Sequence, residues 1–182
     1  MKLLIASDIH GSAFWCRRLC DLIEMERPDR LILLGDLLYH GPRNDLPAGY
    51  APKAVFAMLN ERKDRILCVH GNCDAEVDQM VLDFPIEADF RVEDLCGRRL
   101  FLTHGHHWNA DQRPAPEALD GAGYVVYGHF HVPVKRQEDG VWYLNPGSVS
   151  IPKEGSWHGC IRMTEEAIQW LDLDGKVRDE LR

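Results

Sequence analysis

The chain has 182 residues, six cysteines and a formal net charge of -8. That length suits one compact domain with a substantial core, and the acidity argues against a broad nucleic-acid-binding face, which is normally basic. No apolar stretch reaches the roughly 18 residues of a membrane span, and Asp8 breaks the first apolar run too early for a signal peptide. The cysteines (Cys16, Cys20, Cys68, Cys73, Cys96 and Cys160) form no CxxC zinc pair. They read as reduced thiols of a cytoplasmic protein.

Leu3 to Ile5 begins a short apolar run that ends at Asp8-Ile9-His10-Gly11, the mark of a buried strand spilling onto a loop. If that end stays extended, Asp8 and His10 project to one side and grip one object together. Ser12 can cap a helix to about Glu26, which Pro28 ends. Leu31 to Leu34 is a second strand, closed by Gly35-Asp36. Strand, helix and strand imply a parallel pair with a right-handed crossover. A loop from Tyr39 to Pro52 holds His40 and Arg43, and irregular loops of that length are often functional. A helix from Pro52 to Arg62 and a parallel strand from Arg65 to His70 follow, and Gly71-Asn72-Cys73-Asp74 opens a short helix through Met80.

The second half is richer in strands. Hairpins turn at Cys96-Gly97 and Asp139-Gly140, a helix runs from Pro114 to Leu119, and Tyr124 to Gly128 is a strand. Gly159 to Met163, Ala167 to Leu171 and Lys176 to Asp179 close the chain as antiparallel strands. The pattern predicts two packed sheets with helices outside.

Five apolar runs end in Asp, Asn or His beside glycine: at Asp8-His10, at Asp36, at Asn72-Asp74, at His104-His106 and at His129-His131. One such histidine is more often a core residue than a ligand. Five together at strand ends point to a pair of metal ions.

The order Asp8-Ile9-His10-Gly11, Gly35-Asp36, Gly71-Asn72-Cys73-Asp74, Thr103-His104-Gly105-His106, Gly128-His129-Phe130-His131 and Asn145-Pro146-Gly147-Ser148 resembles the calcineurin-like metallophosphoesterases. With the His40-Gly41-Pro42-Arg43-Asn44 loop and Cys73, the chain is most similar to the small, cap-less bacterial phosphodiesterases of the YfcE kind. The resemblance implies an α/β (α+β) fold: a four-layer α-β-β-α sandwich of two mixed β-sheets flanked by helices, in one domain over residues 1–182. It also implies one metal held by Asp8, His10, Asp36 and His131, and a second held by Asp36, Asn72, His104 and His129. Asp36 would bridge the two. Manganese is the metal the resemblance favours; oxygen and imidazole donors without thiolate also suit iron, zinc or nickel. The implied reaction is hydrolysis of a small phosphodiester by a hydroxide bridging two ions.

Cys73 departs from the histidine that many relatives carry as the acid for the leaving group, and a thiol is a poor substitute. His106 is a candidate to stand in for it or to touch substrate. Arg43 is a candidate phosphate contact, with a solvated loop arginine as the plain reading. Asp74 either orients a metal-bound histidine or caps the following helix. Two rival functions share the core: a non-catalytic scaffold like the retromer subunit, and a phosphatase or nuclease, which the acidity and the lack of a recognition domain disfavour. No membrane partner is implied, and a homo-oligomer is left open.

Overall fold

A computed structural model describes residues Met1–Arg182. Strand β1 (Lys2–Ala6) has four consecutive buried residues because both of its faces are covered. Leu4 and Ala6 belong to a core shared with helices, Leu3 and Ile5 to a core shared with a second sheet. Its unbroken apolar run follows from that double burial. Helix α1 (Ala13–Glu26) is capped by Ser12, whose Oγ accepts the Trp15 N–H at 3.2 Å. Its apolar face, with Cys16, Leu19, Leu22 and Ile23, covers the outer side of the first sheet. β2 (Arg30–Leu33) lies parallel to β1, and beyond α2 (Pro52–Asn60) β3 (Ile66–Cys68) lies parallel to β2.

β4 (Phe90–Leu95) and β5 (Arg98–Thr103) form an antiparallel hairpin. Past α3 (Pro116–Leu119), β6 (Tyr124–Val126) pairs parallel with β5 and with β8 (Val141–Pro146), while β7 (Pro133–Glu138) pairs antiparallel with β8. The order in this sheet is β4-β5-β6-β8-β7. β9 (Gly159–Thr164), β10 (Ile168–Asp172) and β11 (Val177–Leu181) return antiparallel to complete the first sheet as β11-β10-β9-β1-β2-β3. Both sheets are mixed, as expected.

Alternation within each strand builds the layers. Ile32, Leu100, Leu102, Val126, Leu144, Ile161 and Trp170 fill the space between the sheets. Phe101, Val125 and Tyr143 point the other way and are covered by Ala110, Ala122 and residues of α3. This outer layer is thin, because α3 has only four residues. Two elements differ from the sequence reading. The stretch after Asn72 is a turn leading to a short 3-10 helix over Glu76–Met80, because the Asp78 carboxylate takes the Ala75 N–H at 2.9 Å and starts the helix there. The helix expected from Pro114 begins at Pro116, which occupies its first turn.

Glu26, at the end of α1, ties that helix to the sheet. Its carboxylate lies 2.7 Å from Arg162 on β9 and 3.3 Å from Lys2 on β1. Burial opposes its ionisation, but Arg162 and then Lys2 hold its carboxyl below the ordinary 4.5. A depressed folded value adds stability above the unfolded pKa and loses it as pH falls through the folded one. Glu26→Gln should therefore lower unfolding stability by about 1 kcal/mol at pH 7, a modest figure because Lys2 is partly solvated. In urea melts the gap to the parent should stay level down to about the unfolded glutamate value and close below it.

Candidate metal centre

β1, β2 and β3 run parallel in one sheet, β5, β6 and β8 in the other, and their carboxyl ends meet at one edge of the sandwich. The loops leaving them are stitched together by main-chain bonds. Asp8 N–H donates to the Gly35 carbonyl at 3.2 Å and His10 N–H to that of Asp36 at 2.9 Å. In the other sheet Gly128 N–H donates to the His104 carbonyl at 2.7 Å. The two sheets join where His129 N–H donates to Asp8 Oδ2 at 3.0 Å. The loop after β8 secures Asp8 from behind: the Ser148 and Ser150 hydroxyls both donate to its carbonyl, at 2.8 and 3.0 Å.

The extended geometry expected for Asp8 and His10 is not what brings them together. Asp8, His10, Asp36, His129 and His131 all have positive φ, between 49° and 68°. The strand stops at Ala6, and each of these residues sits in the left-handed region that non-glycine residues seldom occupy. Such strain persists only where the surroundings over-determine it, and it concentrates at functional sites. Two glycines allow the close approach. A Cβ on Gly71 would lie 2.3 Å from Asp36 N and Oδ1, and one on Gly128 only 1.9 Å from Ser7 Oγ.

Inside this frame the side chains present acceptor atoms to one another. His10, His104 and His131 each donate Nδ1–H to a backbone carbonyl, of Tyr39 (2.8 Å), Leu34 (2.6 Å) and Ile151 (2.8 Å). That leaves the Nε2 lone pairs facing inward. His10 Nε2 and His131 Nε2 are 3.2 Å apart, and Asp8 Oδ1 lies 3.6 and 3.2 Å from them. Asp8 is fully buried, and Oδ1 has no hydrogen-bond donor. A second cluster sets His104 Nε2 3.0 Å from Asn72 Oδ1, 3.3 Å from His129 Nδ1 and 3.4 Å from Asp36 Oδ2. Asp36 Oδ2 also lies 3.6 Å from His10 Nε2, so its carboxylate touches both clusters.

Lone pairs this close repel unless a cation lies among them. Without a cation, protons shared between carboxylate and imidazole answer the same crowding. Burial disfavours ionised Asp8, yet His10 and His131 hold its carboxyl well below the ordinary range. Burial likewise opposes charging His104, but Asp36 raises it to about 9, while burial and the neighbouring His104 push His129 down to about 4. Asp8 with His10 and His131, and Asp36 with His104 and His129, bring their donor atoms within 4.8 Å of one another, as do His10, Asp36 and the Cys73 thiol; with the Asn72 oxygen the carboxylate and imidazole donors fit divalent metal ions.

Cys73 and Arg43 line a cavity of about 860 Å³ beside this edge, together with Tyr39, Phe130, Lys153 and Asn72. Burial and the adjacent Asp36 push the Cys73 thiol up to about 12. His106 is not on the cavity wall; its ring lies 5.4 Å from that of His104 and 6.2 Å from that of His129, and burial with these neighbours pushes it down to about 4. Asp74 does neither of the things expected of it. Its carboxylate accepts the Asp36, Leu37 and Gly71 N–H groups, each at 2.8 Å, and so clamps the β2 loop to the β3 loop. Sequence reading missed Tyr39, Phe130 and Lys153, because a loop residue reveals its wall only after folding.

Residues 1–167 match the family model of the calcineurin-like phosphoesterase superfamily domain. The chain belongs to this superfamily. Phosphodiesterase YfcE of Escherichia coli K12 is 49% identical over 156 residues, 86% of this chain and 83% of that protein. A solved structure of Yfce, described as a phosphoesterase from E. coli, aligns with a TM-score of 0.92 at 42% identity, covering 100% of this chain and 98% of the other. Vps29 of Entamoeba histolytica, solved with Zn²⁺, shares the fold at a TM-score of 0.61 and 18% identity, with 100% and 98% covered. Metallophosphoesterases of this superfamily use divalent metals, and the acceptor clusters here are of the kind that would hold them.

Asp74→Asn keeps the shape of the clamp but turns an NH₂ toward at least one backbone N–H. It should cost about 2 kcal/mol in denaturant unfolding and weaken metal binding by about tenfold or more in calorimetric titration. Unchanged metal affinity would show that the clamp does not position Asp36.

Proposed function

We propose that the protein is a metal-dependent phosphodiesterase that hydrolyses a small phosphodiester at a two-metal centre. The observation that carries this reading is the meeting of two acceptor clusters on one shared carboxylate, Asp36. One ion would be held by Asp8, His10, Asp36 and His131, and the other by Asp36, Asn72, His104 and His129. We favour manganese, the metal the family resemblance points to, with iron, zinc or nickel as other occupants of an oxygen and imidazole donor set. Bound there, the ions would supply a nucleophile from water at neutral pH and stabilise the charge that gathers on the phosphate oxygens.

The chain's own groups do the remaining work. Asn72 offers an oxygen without adding negative charge that would repel a phosphate. Arg43, exposed on the cavity wall, meets a non-bridging oxygen of the substrate. Cys73 lines the wall as a neutral thiol, which is a weak proton donor. Diesters with stable leaving groups such as phenolates are therefore the better substrates. The chain acts as a single cap-less domain in the cytoplasm, on its own or as a homo-oligomer. Six cysteines, all free thiols, support a reducing setting, and no helix is long and apolar enough to cross a membrane. The net charge of -8 disfavours nucleic acid.

Protein stripped by chelator should lose bis(p-nitrophenyl) phosphate hydrolysis by more than about a hundredfold and regain it with manganese. Turnover indifferent to metal would overturn the reading, and no turnover under any metal would favour a scaffold. Rapid cleavage of single-stranded DNA at moderate salt would favour a nuclease. In Asp36→Asn, elemental analysis should show both ions depleted together, whereas loss of only one would contradict the bridge.

Cys73→His should raise turnover of alkyl phosphodiesters relative to aryl ones by about tenfold or more, since a positioned acid assists the poor leaving groups selectively. An unchanged ratio would mean that the position does not face the leaving oxygen.

A further inference from the structure

Two aromatic rings stand in the cavity beside the acceptor clusters, and neither holds a metal. Phe130 lies between His129 and His131, and Tyr39 follows the loop strand end of Asp36; both line the cavity. Phe130 is 45% exposed and Tyr39 42% exposed. Single exposed apolar residues need no explanation. Two exposed rings on one cavity wall do, because they share that wall with Arg43, Lys153 and the acceptor residues and are its only aromatic rings apart from the histidines.

Neighbouring rings set the orientation of each. Phe130 meets His129 edge-on (centroids 5.1 Å, 83°) and Tyr127 edge-on (6.1 Å, 86°). Tyr39 meets His40 at 4.8 Å and 68°, and His40 in turn meets Tyr50 at 5.3 Å and 83°. The Tyr39 main chain is fixed as well, since its carbonyl takes the His10 Nδ1–H at 2.8 Å. Rings braced by neighbouring rings lose little freedom when a ligand stacks on them. Arg43 and Lys153, both exposed on the same wall, supply positive charge for an anionic phosphate.

We propose that Phe130 and Tyr39 select phosphodiesters in which at least one ester group carries a planar aromatic ring, the ring stacking on these side chains while the phosphate meets Arg43 and the metal centre. The inference rests on the diesterase reading above and deepens it by naming the substrate class. Aryl and nucleoside diesters share this chemistry.

The test compares p-nitrophenyl phenyl phosphate with p-nitrophenyl ethyl phosphate on the manganese-loaded enzyme. Both release the same phenolate, so the difference reports the retained group. Stacking on an aromatic side chain is worth about 1–3 kcal/mol per ring. The phenyl-over-ethyl ratio of kcat/KM should therefore fall about fivefold or more in Phe130→Ala and in Tyr39→Ala, chiefly through KM of the phenyl diester. A substitution that merely loosened His129, His131 or His10 would slow both diesters alike and leave the ratio alone. Val77→Ala, an exposed position off the cavity wall, serves as control and should keep the parent ratio. A parallel comparison of a nucleoside 5′-(p-nitrophenyl) ester against the phenyl diester separates the two ring sources. Ratios unchanged in both aromatic variants overturn the inference while leaving the diesterase reading intact, whereas loss of all metal-dependent turnover in the parent defeats that reading itself.

Discussion

The whole edge of the sandwich depends on one electrostatic constraint: carboxylates and imidazole lone pairs taken out of water must meet a cation. Asp8 is buried with an oxygen that receives no hydrogen bond, a state that is costly in a protein interior. His10 and His131 turn lone pairs toward each other at 3.2 Å because their other nitrogens are committed to backbone carbonyls. Among the side chains only a proton on an imidazole can relieve this crowding, as the rise of His104 beside Asp36 shows. A divalent ion would relieve it at both clusters, and Asp36 would feel both charges at once.

Packing holds the groups in place against their own preference. Five site residues occupy left-handed backbone conformations, each costing of order 1–3 kcal/mol. The restraint comes from the main-chain bonds between loops, from the Asp74 carboxylate with its three N–H donors, and from the close approach allowed at Gly71 and Gly128. The restraint spans both sheets. Trp170, in the core between them, donates its indole N–H to the Asn145 carbonyl at 2.7 Å, and Asn145 donates to the Gly128 carbonyl, also at 2.7 Å. The hydrophobic docking of the sheets and the geometry of the polar edge are thus one structure.

Much of this was legible in the sequence, for identifiable reasons. Apolar runs such as Leu3 to Ile5 and Leu31 to Leu34 announced strands buried on both faces, and polar residues beside glycine marked their ends. The fold brings the residues proposed as ligands together at one edge of the sandwich. Their backbone conformation was not legible, since positive φ at Asp8 and His10 arises from contacts with the β2 loop far along the chain. Asp74 was misread for a similar reason: a carboxylate two residues after Asn72 looks like a cap, and only the neighbouring loop reveals its three donors. The placement of His106 off the cavity wall, and of Tyr39 and Phe130 on it, belongs to tertiary geometry that period and spacing do not encode.

Tyr39 shows a division of labour. Its carbonyl steadies a histidine of the inner cage, while its ring faces outward into the cleft. Because every amino acid brings the same carbonyl, the side chain at this point is free to vary without disturbing the imidazole behind it. The rim can therefore be retuned to a new guest molecule one residue at a time, with the buried machinery left as it is.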